Sequence, residues 1–584
     1  MQDLSQQIRI LRILGPMLVF LLLLAVACGS SAAPDTSAPA KAAPAAAAVP
    51  TAVPGAKAEP AAPAESKVNP GKLTWMIGGW GSERFDYTFD VGGSNNYIRW
   101  FGGFLVETDH DGLLIPGIAT DWSVAENGLT WTVTIREGVK FHDGTDLTAD
   151  DVRWTWCHQW CPEAKEYATQ SGAQSRARIM DKIETTGPNQ VSLTTTTGVG
   201  AVPTLWLSAA SSSPWVIFPK REVQHDEAEV EAYSQDPNGS GPMKLVKHIP
   251  SEVMEFERFG DYYYQPDNGL PEDRRMQFTT LDLRLVPEES TRVAAIRAGE
   301  ADIAPASLSA KKQIEAGGGR LVFGREGIYF RIMLLGCWHD LDFPCKDKRV
   351  RHALDYAIDK ELIRDTLFGG SEVMEVKGWA STTPSTIGYS TELDPWPFDP
   401  AKARALMTAA GYKNPDNPDG KDFGPLIINT WPSSSMPFLP ESAQLAGEMW
   451  KRELGLDTEV RVGDESALKK STLAQTLNGQ ILWRDNEARV DAGGGRSSYG
   501  TPDHKARLHN DAEFFDTVQA AIAVTDPSKR QAVLNELYLA QRDLSMELGV
   551  GYINIPWAVG PRVTSWEPFP LAFFPSAAHT IVLK

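Results

Sequence analysis

Between Asn127-Gly128 and Glu137-Gly138, the apolar residues Leu129, Trp131, Val133 and Ile135 alternate with Thr130, Thr132, Thr134 and Arg136. A period of two is that of a strand with one face buried. Phe141-His142-Asp143-Gly144 predicts a turn, and Thr148 with Asp151 predicts a capping-box start to a helix carrying Val152 and Trp156 on one face. The segment therefore reads as a hairpin leading into a helix. Further along, the period lengthens. Asp347 opens a helix that buries Val350, Ala353, Leu354, Ala357 and Ile358; Asp359 caps a second, carrying Leu362, Ile363 and Leu367 and stopped at Gly369-Gly370. Asp399-Pro400 supplies the N-cap and first position of a helix through Ala403, Leu406, Met407 and Ala410 to Gly411. Leu445, Met449 and Trp450 continue the pattern to Gly455, with a strand at Thr458–Val462 after it, and Asp526-Pro527 starts a long helix through Val533, Leu537 and Leu544. Helices alternating with short strands imply an α/β body. No internal repeat period is visible.

The beginning of the chain follows other rules. Arg9 and Arg12 precede an uncharged, mostly apolar run over residues 13–27, shorter than the ~20 residues that span a bilayer. A basic start, a short apolar middle and small residues at the end predict a secretory signal peptide over residues 1–27. The run ends Ala25-Val26-Ala27-Cys28-Gly29-Ser30, which resembles a bacterial lipobox and makes Cys28 the expected lipidated residue. Ala25 stands where a large aliphatic is usual, with Leu24 one place early. The following stretch to about residue 67 is almost all Ala and Pro and cannot offset its conformational entropy by burial. Residues 28–67 are thus expected to form a lipidated, disordered spacer, stiffened by its prolines to ~3 Å per residue.

Residues 68–584 exceed what one hydrophobic core serves, so two or more lobes are expected. The net charge of −19, with no stripe of Lys and Arg, argues against a nucleic-acid partner. The 18 Trp and 14 Tyr serve cores first and solute pockets second. Beyond Cys28, the cysteines fall into two near-neighbour pairs, Cys157 with Cys161 and Cys337 with Cys345, which fits two local disulfides in an exported protein. The first pair lies on one helical face, where a bridge is cramped; a zinc site there would need two further ligands that the sequence does not place. The second pair reads as a loop staple.

No His-Glu-x-x-His, Gly-x-Ser-x-Gly or P-loop is present, and Gly317-Gly318-Gly319 and Gly493-Gly494-Gly495 lack the spacing of a phosphate cradle. No catalytic residue, metal or cofactor is assigned. Four ordered runs carry a resemblance instead: Pro116-Gly117-Ile118-Ala119-Thr120-Asp121-Trp122, Asn127-Gly128-Leu129-Thr130-Trp131, Arg136-Glu137-Gly138-Val139-Lys140-Phe141-His142-Asp143-Gly144 and Leu147-Thr148-Ala149-Asp150-Asp151-Val152. With the later Gly239-Ser240-Gly241-Pro242, Ile296-Arg297-Ala298-Gly299 and Arg349-Val350-Arg351-His352-Ala353-Leu354 runs, the chain resembles the family 5 solute-binding proteins, extracytoplasmic receptors of peptide, dipeptide and nickel ABC importers.

The resemblance implies a large type II periplasmic-binding-protein clamshell with an extra subdomain on the first lobe. Its expected parts are residues 68–110, 221–325 and 549–584 for lobe I, 111–220 for the extra subdomain and 326–548 for lobe II. The function it implies is capture of a peptide or similar small solute, without chemistry, by a lipid-anchored monomer that delivers it to ABC permease subunits. An exported peptide hydrolase or a sensory receptor on the same scaffold are the alternatives. In peptide-binding relatives a Trp followed closely by an Asp meets the ligand, the Asp pairing with a free amino terminus; Trp483 and Asp485 match, with the spacing shortened by one and Arg484 between them. If Asp485 faces the cleft the site suits an amine, and if Arg484 does it suits an anion. By family position, Asn95 and Asn96 in the loop with Gly92, Gly93 and Ser94 are further candidate contacts, as is Tyr329 at the start of the second lobe. Phe141 and Asp143 are expected to serve turns and packing.

Overall fold

The computed structural model describes residues 71–81, 83–86, 88, 95–168, 171–209, 215–221, 227–337, 342–433, 435–491, 493, 512–571 and 576–584. The expected signal peptide, Cys28 and the Ala/Pro spacer lie outside the described residues. Among the described residues no helix is long and apolar enough to cross a membrane.

The predicted hairpin forms a separate four-stranded antiparallel sheet. Strands β2 (Ala119–Val124), β3 (Thr130–Ile135), β4 (Met180–Gly187) and β5 (Gln190–Thr195) lie in the order β2-β3-β5-β4. Along β3, Trp131, Val133 and Ile135 are buried and the threonines between them are not, as a two-residue period requires. The capping box at Thr148 and Asp151 opens helix α2 (Ala149–Trp160) beneath this sheet. Phe141 is buried; the Asp143 carboxylate accepts from the amide and hydroxyl of Thr145. His142 of the same turn meets the Gly241 carbonyl at 3.0 Å, and burial pushes its pKa down to about 4. A Cβ on Gly239 would overlap the Phe101 carbonyl, so the Gly239–Gly241 stretch takes its glycines from this close approach.

The main sheet has 12 strands. Those used below are β1 (Lys72–Ile77), β6 (Met243–Ile249), β7 (Val253–Arg258), β8 (Thr280–Leu285), β9 (Ile303–Pro305), β10 (Arg320–Leu334), β11 (Leu426–Thr430), β12 (Thr458–Val462), β13 (Ile481–Glu487) and β14 (Tyr552–Val559), in the order β12-β11-β13-β10-β14-β9-β1-β8-β7-β6. Two separate cores flank β10 and β14. On one side Trp75 of β1 stands edge-on to Trp100, Trp557 and Trp566 at 5.6, 5.5 and 5.1 Å, in a core continuous with that of the four-stranded sheet. On the other, strands β10, β11 and β13 bury Ile332, Ile428 and Trp483 against helices α3 (Lys348–Tyr356) and α5 (Leu439–Leu454). The N-caps here are those the sequence predicts: Asp347 accepts from the Arg349 amide, Asp359 from Leu362, and Asp399, before α4 (Pro400–Ala409), from Lys402. Cys157 is bonded to Cys161 within α2 and its C-cap, and Cys337 to Cys345 across the loop after β10.

The two halves of the sheet meet where β10 and β14 cross from one core to the other. Gly324 pairs with Ile555 and Ile328 with Ile553, so Arg325, Glu326 and Gly327 together face the single residue Asn554. This bulge contains Glu326 at φ 57°, a left-handed conformation unfavourable for a residue with a side chain. The surroundings hold it there: the Glu326 amide donates to Asn554 Oδ1 at 2.9 Å, and its carboxylate accepts from the amide and hydroxyl of Ser385 at 2.8 and 2.9 Å.

Candidate functional site

Strands β11 and β13 run parallel, so their carboxyl ends lie at one end of the second core, beside Ile328 and Tyr329 in the middle of β10. Crevices outside the carboxyl ends of parallel strands are where open α/β sheets bind ligands. At that end, Asp485 of β13 is 8 % exposed, and its Oδ2 accepts from the hydroxyls of Ser433 and Ser435, in the loop after β11, at 2.6 and 2.7 Å. The Ser433 Oγ also accepts from the Met436 amide at 3.2 Å, which fixes the loop. Both hydroxyls converge on one carboxylate oxygen, and Oδ1 has no partner among the described residues. A carboxylate so held is a preorganised acceptor for a cationic group.

The neighbours of Asp485 divide by strand alternation. Arg484 points to the other face, its guanidinium 5.5 Å from the centre of the Trp431 ring and its Nε donating to the backbone oxygen of Asp485. Trp483, expected as an aromatic wall of the cleft, is instead wholly buried: its Nε1 donates to Ser442 Oγ at 2.9 Å, and its ring packs edge-on to Phe330 and Trp450. A large ring inside the two-residue period belongs to the core whenever the sheet face is covered by helices, as α5 covers this one. Truncating Trp483 therefore removes core packing worth ~3–5 kcal/mol, and any change in binding would come with that loss.

Tyr329 is 2 % exposed, and its hydroxyl accepts from Asn486 Nδ2 at 2.7 Å. Its ring lies in a small apolar cluster with Ala488, Val490, Tyr552 and Leu571, at the crossing of the two halves. Asn95 and Asn96, expected in a loop, are the first residues of helix α1 (Asn95–Phe101). The Asn95 Oδ1 accepts from Arg99 Nε at 3.1 Å, and Asn96 Nδ2 donates to the Gly79 carbonyl at 3.0 Å, so both side chains are engaged within the first half. Gly92, Gly93 and Ser94 lie outside the described residues.

Val490 and Leu571 of that cluster also line a cavity of about 120 Å³, with room for several waters. Its polar wall comes from Arg99, Glu107, Tyr262, Arg274 and His579. Glu107 lies 3.6 Å from the Arg274 guanidinium, and burial pushes its pKa up to about 7. Arg274 is held by Glu272 and by the Thr108 carbonyl at 2.9 Å, and burial pushes His579 down to about 4. Sequence reasoning missed Ser433 and Ser435; the only signal was a serine run directly after the β11 pattern and before a helix. The cavity's charged wall had no local signal at all.

A family model described as "Bacterial extracellular solute-binding proteins, family 5 Middle" matches residues 114–511. The chain is 28 % identical over 324 residues to the glutathione-binding protein GsiB of Pectobacterium atrosepticum, covering 55 % of this chain and 57 % of that one. It is 28 % identical over 308 residues to GsiB of Escherichia coli O1:K1 / APEC, covering 51 % and 53 %. It thus spans a little over half the length of these curated relatives. Among solved structures, the ABC transporter substrate-binding protein CtaP of Listeria monocytogenes superposes with a TM-score of 0.70 at 20 % identity, covering 88 % of this chain and 99 % of that one. The oligopeptide-binding protein AppA of Bacillus subtilis, solved with a nonapeptide, gives 0.66 at 20 % with the same coverage. These likenesses show the two-lobed clamshell fold.

Proposed function

The chain belongs to family 5 of the bacterial extracellular solute-binding proteins, and we propose that it is the receptor of an ABC importer, capturing a peptide or similar small solute between its lobes and handing it to permease subunits. The observation that carries this is the Asp485 carboxylate, held by two serine hydroxyls at the strand ends beside the crossing. It suits a solute with a free amino group, which peptides and glutathione both have. The relatives named for glutathione and the neighbour solved with a nonapeptide support the same solute class. Capture proceeds by lobe closure about β10 and β14 and leaves the solute unchanged.

On this reading lobe I comprises residues 68–110, 221–325 and 549–584, the extra subdomain 111–220 and lobe II 326–548, with the bulge at Arg325–Gly327 as part of the joint. A monomer tethered through Cys28 and spaced from the membrane by residues 28–67 completes the arrangement. Labelled fatty acid should enter the wild type and not Cys28→Ala.

Titration calorimetry with reduced glutathione and with tripeptides, free or N-acetylated, tests the solute class. Free amino termini should bind, acetylated ones should not, and Asp485→Asn should weaken binding by about 10- to 100-fold, the loss of one hydrogen bond to a charged group. Equal affinity for acetylated peptides, or an unaffected Asp485→Asn, would remove Asp485 from the site. Mass spectrometry after long incubation separates capture from hydrolysis: intact recovery supports a receptor, and cleaved peptide an enzyme.

A further inference from the structure

On that reading the extra subdomain touches lobe II at a second place, remote in sequence from the crossing strands. The segment Gly198–Trp206 follows β5, and its helical turn Val202–Trp206 packs into the first core beside Trp160 and Trp215. Its outer edge meets the second lobe where helix α6 (Ala512–Ala523) gives way to α7 (Pro527–Asp543). The Gly200 amide donates to the Ile522 carbonyl at 3.0 Å, and the Thr204 hydroxyl reaches Asp491 Oδ2 at 3.3 Å. Beneath them, Arg530 makes two bonds to the Asp491 carboxylate, at 2.7 and 3.0 Å, and two to the carbonyls of Ile522 and Val524, at 3.0 and 2.7 Å. Asp491 is fully buried and Arg530 3 % exposed.

Each side of this contact is nearly self-sufficient. If the lobes part, Asp491 keeps Arg530 and the Gly493 amide, Arg530 keeps its carbonyls, and Thr204 keeps the Ala201 carbonyl at 3.1 Å. What is released to water is one amide, one carbonyl and one hydroxyl contact. A buried ion pair whose partners both lie on one side can be uncovered without leaving an unpaired charge. The approach is also closer than ordinary side chains allow, since a Cβ on Gly200 would overlap the Val524 carbonyl and crowd Arg530, while its backbone lies outside the left-handed region. Asp491 adjoins Val490, which lines the cavity described above.

We propose that Gly200 and Thr204 of the extra subdomain, docking on the Asp491–Arg530 pair of lobe II, form a clasp that closes with the lobes. This rests on the two-lobe capture reading. Hydrogen exchange and small-angle X-ray scattering on the purified protein test it without solute. The Gly200 amide should be protected in the wild type. Gly200→Ala, a wedge that alters neither core, should speed exchange at residue 200 about 10-fold or more and enlarge the scattering radius. Amides of β3 and β13 should keep their protection and the melting temperature should hold. Thr204→Val should speed exchange at Gly200 about three-fold, as one neutral hydrogen bond allows. Gly200→Ala that leaves scattering and exchange unchanged would overturn the clasp; so would exchange rising throughout both lobes, which would make the contact part of a single core. Because no solute is needed, failure of glutathione and peptides to bind would overturn the transport reading and not the clasp.

Discussion

On the proposed division, two polar seams join the extra subdomain to the rest of the protein, and they differ in what crosses them. Toward lobe I, Asp86 is fully buried and accepts from His158 of α2 at 2.9 Å and from Arg221 at 2.8 Å. The Trp154 ring stacks on His158 at 4.8 Å and lies under the Arg221 guanidinium at 4.6 Å. His158 comes from the proposed subdomain and Asp86 and Arg221 from the two proposed stretches of lobe I, so parting the subdomain would break a buried hydrogen bond to a carboxylate and lift Trp154 off Arg221. Toward lobe II the ion pair Asp491–Arg530 belongs wholly to one side, and the subdomain brings only a backbone amide and a hydroxyl. A ring bonded to a buried carboxylate across the first seam holds it more firmly than a neutral amide and hydroxyl hold the second.

The largest effect should come from the first seam. Asp86→Asn should cost ~3–5 kcal/mol in urea denaturation, because the Arg221 guanidinium loses its counter-charge. The two partners hold the Asp86 pKa well below the ordinary carboxylate range, so this contribution is full at pH above about 4 and fades as acid approaches the folded value. A loss under 1 kcal/mol would remove the distinction between the seams.

Glu107 gives an intermediate case, a half-buried carboxylate whose partner stands off at 3.6 Å. Its pKa is 4.5 in the unfolded chain and about 7 in the fold, so the native state holds a proton that the unfolded state has released. Stability should therefore fall as pH rises from about 4.5 to about 7, then level off. Glu107→Gln should flatten that slope and be more stable than wild type at pH 8 by on the order of 1–2 kcal/mol. Parallel curves for the two proteins would place Glu107 in water. The smallest effect belongs to the second seam: Thr204→Val should change global stability by less than ~1 kcal/mol, however strongly it alters exchange at Gly200.

Local features were legible in the sequence because their physics is local. The alternation along β3, the capping box at Thr148 and the caps at Asp347, Asp359 and Asp399 each depend on residues within a few positions, and all formed. Trp483 shows the limit. Strand periodicity assigns it a face, but whether that face meets solute or helix α5 is decided by Ser442, 41 residues away. The serines that hold Asp485 lie 52 and 50 residues from it, and Thr204 lies 287 from Asp491. Such pairings follow from the order of strands in the sheet, which no window of sequence contains. Asn95 and Asn96 were placed by family position in a loop, where the chain had already begun α1.

The bulge at Arg325–Gly327 gives the joint a mechanical character. A left-handed Glu326 stores of order 1 kcal/mol in the backbone, and Ser385 and Asn554 grip it by side chain and amide. The joint is therefore a loaded spring with a catch and not a slack tether. On the proposed two-lobe reading, Glu326→Gly would relieve the torsion and remove the carboxylate's bonds to Ser385 together, and the lobes should then swing through a wider arc.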